Sequence, residues 1–426
     1  MHTIESKFFS RFVVILSLVF GVDQASAQNG AGSVYSIFGI GELSRSVSVA
    51  SQAMGNTAIG LSNPYQINIT NPAANGGVGS YFNHVFDIGM YYASTNYQTQ
   101  ETSENGSYGG VSDFSFWFKY GQKGSAIIGL SSYSNVGYNI YKDQVNSFQT
   151  GDYDIAYQGS GGLNEAYFSN SYALFQNFSV GLKLAFIFGS IDHTEDVVGS
   201  QSLSRYMLEN HTYIANLDLE YSLNYRLPVS KNSYVNFGLI YKKPTQLSGN
   251  TSSTISAWDY SEGTTVDEAV LYEEKESTSG YKLPRKMGFG VSLNTKKVML
   301  AGDVEFNQWK DGEIEGYSND LVNTWRYSAG LEVTPNRFGD QTLGRISYRI
   351  GGYYENSYLK INGVNPETYA FTSGLSIPLR TGSAMNLSYQ RKYNGTTSEG
   401  LILESSHVVA MSFSIRRRWF QRPKYD

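Results

Sequence analysis

The 426-residue chain has no cysteine, only 9 prolines and 16% charged residues. Without cysteine there is no disulfide framework, no thiolate metal site and no lipid-anchored N-terminus. Scarce proline leaves almost every backbone N–H free to join a ladder. Beyond the first two dozen residues no apolar run approaches the roughly 20 positions that a membrane-crossing helix needs. Amphipathic helical periods of useful length are missing too, which excludes a helix-covered sheet. Net charge is only -5, and nothing marks a nucleic-acid partner.

What the chain does have is 34 tyrosines, 23 phenylalanines and 44 glycines, the balance of aromatic-rich strands joined by glycine-containing turns. The stretch Asn216 to Leu227 shows how they are used. Leu217, Leu219, Tyr221, Leu223, Tyr225 and Leu227 alternate with Asp218, Glu220, Ser222, Asn224 and Arg226. A period of two is a strand period, and about 9–11 tilted strand residues cross a bilayer. Mean hydropathy is negative, yet a barrel averages each lipid-facing residue with a polar neighbour facing the lumen. The fold expected is therefore all-β, a transmembrane antiparallel barrel, with its leucines and tyrosines in lipid.

Residues 1–27 read as a signal peptide: Lys7 and Arg11 are basic, Phe12 to Val22 is largely apolar, and Ala25-Ser26-Ala27 fits the cleavage pattern. This run is too short for a membrane anchor. Its two bases balance Glu5 and Asp23, so the mature net charge stays at -5. Residues 28–77, rich in Gly, Ser, Asn and Ala, suit a plug packed in a lumen, the alternative being a flexible periplasmic tail. The barrel is expected over 78–415 and a basic periplasmic tail over 416–426. Fourteen strands are expected near 84–98, 112–121, 125–141, 163–174, 178–194, 213–227, 234–247, 278–293, 298–310, 324–334, 343–361, 367–379, 384–393 and 401–415. Residues 251–258 fit either a further strand or a loop.

The connections alternate between tight turns and mostly longer loops, with Ser248 to Ser277 the longest and acidic. Short periplasmic turns and long outer loops are what barrel insertion produces, placing the protein in the outer membrane with both termini periplasmic. Lys123, Lys231, Lys296, Lys297 and Arg337 fall in the tight turns, where they meet lipid phosphates. The acidic loop reads as solvated rather than as a calcium site, since no ligand spacing is visible.

Chemistry is sparse. His84, His193, His211 and His407 stand apart without metal-ligand spacing, and Ser406 and His407 point to opposite faces of a strand, so neither a metal site nor a catalytic residue is expected, and no cofactor. Gly39 and Gly41 lack the strand-to-helix context of a phosphate loop. Trp117, Trp258, Trp309 and Trp325 are expected in interfacial girdles. Around Ser134, Asn135, Val136 and Gly137 the third strand loses its alternation, which permits a bulge or a plain glycine bend.

The chain resembles the long-chain fatty-acid outer-membrane transporter family, the FadL type, in the divergent form common in Bacteroidetes. Met54-Gly55 leading to Asn71-Pro72-Ala73 is similar to that family's N-terminal hatch, and Gly159-Ser160-Gly161-Gly162-Leu163 to the start of one of its strands. Leu283-Pro284, Gly288, Asp303 and Trp309 resemble its central strands. Arg349, Gly352, Tyr354, Asn362-Gly363 and Ile377-Pro378-Leu379 resemble its late strands, and Trp419-Phe420 its end. The resemblance implies a fourteen-strand barrel with a lumenal hatch at Asn71, Pro72 and Ala73. It also implies passive uptake of a hydrophobic small molecule, leaving sideways through a kinked wall strand. Uptake is the leading expectation; because some relatives of that family serve secretion machinery, the resemblance also supports the alternative, an accessory subunit or carrier that docks with protein partners in an outer-membrane complex.

Overall fold

A computed structural model of the chain describes residues 32–76, 82–147, 151–199, 204–261, 264–314, 316–379 and 382–418. The expected signal peptide and Trp419-Phe420 lie outside the described residues. The strands form one antiparallel sheet that closes on itself. In chain order the wall begins with β1 (His84–Gln98), β2 (Ser103–Tyr120) and β3, which runs in two segments, Gly124–Ser132 and Ser134–Ser147. β4 (Gly151–Phe175), β5 (Phe178–Gly199) and β6 (Ser204–Ser230) are unbroken. β7 is split into Ser233–Lys242 and Thr245–Ser261, and β8 into Thr264–Leu283 and Arg285–Asn294. β9 (Val298–Gln308), β10 (Thr324–Val333), β11 (Ser347–Asn356), β12 (Glu367–Pro378), β13 (Ala384–Asn394) and β14 (Leu403–Arg417) complete the set. β14 pairs with β1 from Leu403↔Gln98 to Arg417↔His84, and this ladder closes a fourteen-strand barrel.

The alternation read along β6 maps onto its two faces. Leu217 is 58% exposed and Leu223 40%, whereas Ser222 and Asn224 are 3% and 4%. The same outward row of large apolar side chains continues around the cylinder through Leu239, Phe289, Tyr327, Ile350, Phe371 and Val409. Each such side chain left in water forgoes about 1.5–3 kcal/mol, so an apolar belt of this extent belongs in hydrocarbon.

Three expectations are corrected. Ser248 to Ser277, taken as the longest loop, is mostly strand: β7 and β8 form a hairpin over Thr245↔Leu283 to Ser261↔Thr264, and residues 251–258 lie within β7. Backbone pairing continues past the lipid belt, where both faces are wet and alternation no longer reports it. The eleventh strand is shorter than 343–361, because Thr342–Arg345 form a helical turn and the strand spans Ser347–Asn356. Trp117 and Trp309 are 2% exposed and face inward, unlike Trp325 at 44%. Trp117 sits between Phe116 and Phe118, so its parity opposes the outward row that includes Phe114.

Candidate functional site

Residues 32–76 fold inside the barrel, fastened to inward-facing side chains around its circumference. Asn71 Nδ2 donates to the Ile59 carbonyl at 2.7 Å and to the Leu223 carbonyl of β6 at 3.3 Å. Pro72 opens a short 3-10 turn, Pro72–Asn75. The Ala73 N–H donates to Ser222 Oγ on β6, and Ser179 Oγ on β5 donates to the Ala73 carbonyl. Asn71, Pro72 and Ala73 thus lie where the plug meets β5 and β6. Three strands further round the wall from β6, Asp303 on β9 accepts the N–H groups of Ala58, Ile59 and Gly60.

Close approach explains two wall glycines. A Cβ at Gly238 would stand 1.8 Å from the Ile59 carbonyl oxygen, and one at Gly290 2.2 Å from Gly60 N. Plug backbone lies directly on the sheet at these points, which no larger residue allows.

Below the mouth the lumen is ionic. A cavity of about 140 Å³ is lined by Arg45, Glu165, Lys183, Asp218, Lys242, Lys286, Glu305 and Arg326, among others. The charges are paired: Arg45 with Glu305 at 2.9 Å, Lys183 with Glu165 at 2.7 Å, Lys242 with Asp218 at 2.6 Å, Lys286 with Glu220 at 2.8 Å, and Arg326 with Glu355. Arg337, expected to face lipid phosphates, instead pairs with Glu332 and lies 4.4 Å from the Tyr65 ring of the plug.

Above this layer the lumen is apolar, and the chain fills it with its own residues. Ile40 of the plug is buried with Val136, Leu163, Ile187, Ile214, Leu283 and Trp309, and Ile37 and Phe38 pack on that cluster. Tyr358, in the connection after β11, stacks on Trp309 with centroids 4.6 Å apart and donates to the Gly41 carbonyl. Burial pushes the Tyr358 phenol pKa well up, so it stays a donor. At the mouth a cavity of about 370 Å³ is lined by Val34, Ile37, Phe38, Ile140, Tyr317 and Leu359, among others.

The wall has a gap between β2 and β3. The β2–β3 ladder runs from Tyr120↔Gly124 only to Asp113↔Ser131. Beyond it, β2 pairs with β1 and the second segment of β3 with β4. Between Ser132↔Asn164 and Val136↔Gly161, β3 carries one more residue than β4. Ser134, Asn135, Val136 and Gly137 occupy this irregularity. The plug bridges it: Leu43 and Glu42 pair with Ser134 and Asn135, and Gly32 N donates to the Gly137 carbonyl at 2.6 Å. A cavity of about 480 Å³ remains, lined by Tyr91, Tyr108, Tyr138, Gln158, Asp192 and others.

The histidines take local partners. Nδ1 of His193 meets the Tyr138 hydroxyl at 2.6 Å, His407 meets Tyr389 at 2.8 Å, and His211 pairs with Asp192. Ser406 is buried against Thr95 while His407 faces outward. Among the described residues no group of three or more His, Asp or Glu is placed to hold a metal ion.

A closed antiparallel barrel with an apolar belt and a chain-filled lumen defines a transmembrane β-barrel of the outer-membrane type. A family model named BamG matches residues 9–426, and the chain belongs to that family. Its fold is similar to the toluene transporter TbuX of Ralstonia pickettii, with a TM-score of 0.60, 14% identity, and 87% of this chain and 98% of that one covered. It is similar likewise to the Pseudomonas putida toluene transporter TodX (TM-score 0.59, 16% identity, 88% and 99% covered). A Pseudomonas aeruginosa FadL homologue aligns with a TM-score of 0.58 at 11% identity, over 89% and 100%. The resemblance to the FadL type is therefore one of fold. No curated protein matches the sequence.

Proposed function

We propose that the chain is a non-enzymatic, plugged outer-membrane barrel serving as a structural or accessory subunit of a larger outer-membrane protein complex. Both chain ends would face the periplasm and the tall strand ends the outside. The observation that carries this reading is that the lumen is occupied by the chain itself. Ile37, Phe38 and Ile40 fill the apolar sector, five ion pairs fill the layer below, and Glu42–Leu43 stitch the wall gap. Such a barrel offers its surface more readily than its axis. Purification in mild detergent followed by mass spectrometry tests it: a stoichiometric partner that survives washing is expected, and a chain that always runs alone would overturn the reading.

The wall gap favours a second reading, passive uptake of hydrophobic molecules such as long-chain fatty acids. An apolar ligand would enter at the 370 Å³ mouth cavity and leave sideways past Ser134, Asn135, Val136 and Gly137 once the hatch around Asn71, Pro72 and Ala73 shifts. The fold likeness to proteins described as toluene transporters agrees with this, while the polar lining of the gap cavity, with Gln158 and Asp192, speaks against an apolar exit. Uptake of a labelled fatty acid into vesicles, with the full chain and with residues 28–77 deleted, decides it. Uptake no faster than in protein-free vesicles in both cases would sink this reading.

A further inference from the structure

The six strands from the second segment of β3 to the first segment of β8 rise past the lipid belt; β7 stays paired with β6 up to Asp259↔Ser204, and β8 is the last strand of the row. Val270 lies opposite Ser256 of β7, which in turn faces Met207 of β6. That is six positions beyond the outward Tyr213, or roughly 15 Å at about 3.3 Å per residue and a tilt near 40°. On its far side the first segment of β8 pairs, among the described residues, only at Tyr281↔Ile314 and Lys282↔Glu313. Above Tyr281 its outer backbone groups form a free edge.

The eight consecutive residues Ala269 to Glu276 are all exposed, so both faces of this strand are bare as well as its edge. Val270, Leu271 and Tyr272 are 57%, 59% and 46% exposed, and Leu271 is the extra residue of a bulge between Ser256↔Val270 and Ile255↔Tyr272. Protein edges in water are ordinarily shortened or covered, and three adjacent large apolar residues on a free edge are the opposite. Over Ala269 to Glu276 the strand carries Glu273, Glu274 and Glu276 against Lys275 alone, and Lys275 is already paired with Glu273 at 2.9 Å.

From this edge we infer a docking site for an extended, basic segment of a partner protein, which adds as a further strand beside β8. The backbone edge supplies the ladder, Val270, Leu271 and Tyr272 supply apolar contact, and the carboxylates select lysine- or arginine-bearing sequences. The inference rests on the reading of the chain as a complex subunit. The binding test uses an acetylated, amidated peptide of four Lys-Val repeats, and its Glu-Val counterpart, on the detergent-solubilised full chain by fluorescence anisotropy. The Lys-Val peptide is expected to bind at least tenfold more tightly, and the triple variant E273K/E274K/E276K to reverse that order. Leu271→Pro, which removes a donor from the edge, is expected to weaken both. Equal affinities, or a preference indifferent to these variants, would overturn the site. Heat-modifiable migration of the variants confirms that the barrel still folds. A co-purifying partner retained by the triple variant would overturn the hairpin site and leave the subunit reading standing, whereas loss of that partner supports both.

Discussion

The carboxylate of Asp303 and the backbone of Gly60 meet across the boundary between wall and plug. Oδ1 accepts the Gly60 N–H at 3.1 Å, while Oδ2 accepts those of Ala58 and Ile59 at 2.6 and 2.8 Å. One side chain thereby satisfies three successive buried backbone donors.

Asp303→Ala orphans all three donors, each at about 1–3 kcal/mol, and loosens the plug. Arg45 is the sole Lys or Arg between residues 28 and 77, so trypsin reports on this directly. Cleavage after Arg45 is expected at protease levels that leave the wild type intact, with Asp303→Asn intermediate because it keeps an acceptor but loses the charge. Equal cleavage rates would show that the carboxylate does not hold the plug.

Gly238→Ala is expected to abolish the heat-modifiable folded band on gels, because the new Cβ collides with the Ile59 carbonyl. Gly302→Ala, whose Cβ meets nothing closer than 3.6 Å, is expected to migrate as wild type.

Lys242→Met strands Asp218 in a buried site where Thr245 Oγ is its remaining side-chain donor. The loss is about 3–5 kcal/mol, read as a lower guanidinium midpoint in detergent. Adding Asp218→Leu is expected to recover most of it, since an apolar pair of similar volume replaces the ion pair. No recovery in the double variant would mean that the pair matters through shape and not charge.

Single-tryptophan variants separate the two faces of the wall. In vesicles of brominated lipid, a chain keeping Trp325 is expected to lose most of its fluorescence and one keeping Trp117 very little. Comparable quenching of both would reverse the assignment of faces.

Where one face meets hydrocarbon and the other the packed lumen, the strands were legible from alternation alone: all fourteen were found, and Asp218 and Glu220 fell inward as read. The same rule assigns Trp117 to the lumen, but its type suggested a girdle, and type was the poorer guide. Alternation fails above the lipid belt, where the β7–β8 hairpin has water on both faces and its acidic run looked like a loop. The plug side of the site was less legible. Asn71-Pro72-Ala73 stood out only by resemblance, and the partners of Asp303 are backbone groups more than 240 positions away, which leave no mark in side-chain pattern. The ion pairs Arg45–Glu305, Lys183–Glu165 and Lys286–Glu220 depend on barrel register, which sets neighbours that sequence order does not.

Closure by β14 on β1 constrains how the molecule is made. The 15 residues of the final strand zip onto a first strand translated some three hundred positions earlier, so the cylinder stays a curved ribbon until nearly the whole chain has emerged. The plug is among the earliest segments out, yet its anchors span from β1 to β14. It must wait for the ribbon and be wrapped by it, because a finished tube would have to swallow a folded, knobbly cargo through its own mouth. The contacts of residues 32–76 with β14 are therefore among the last to form, since they need the final strand in place.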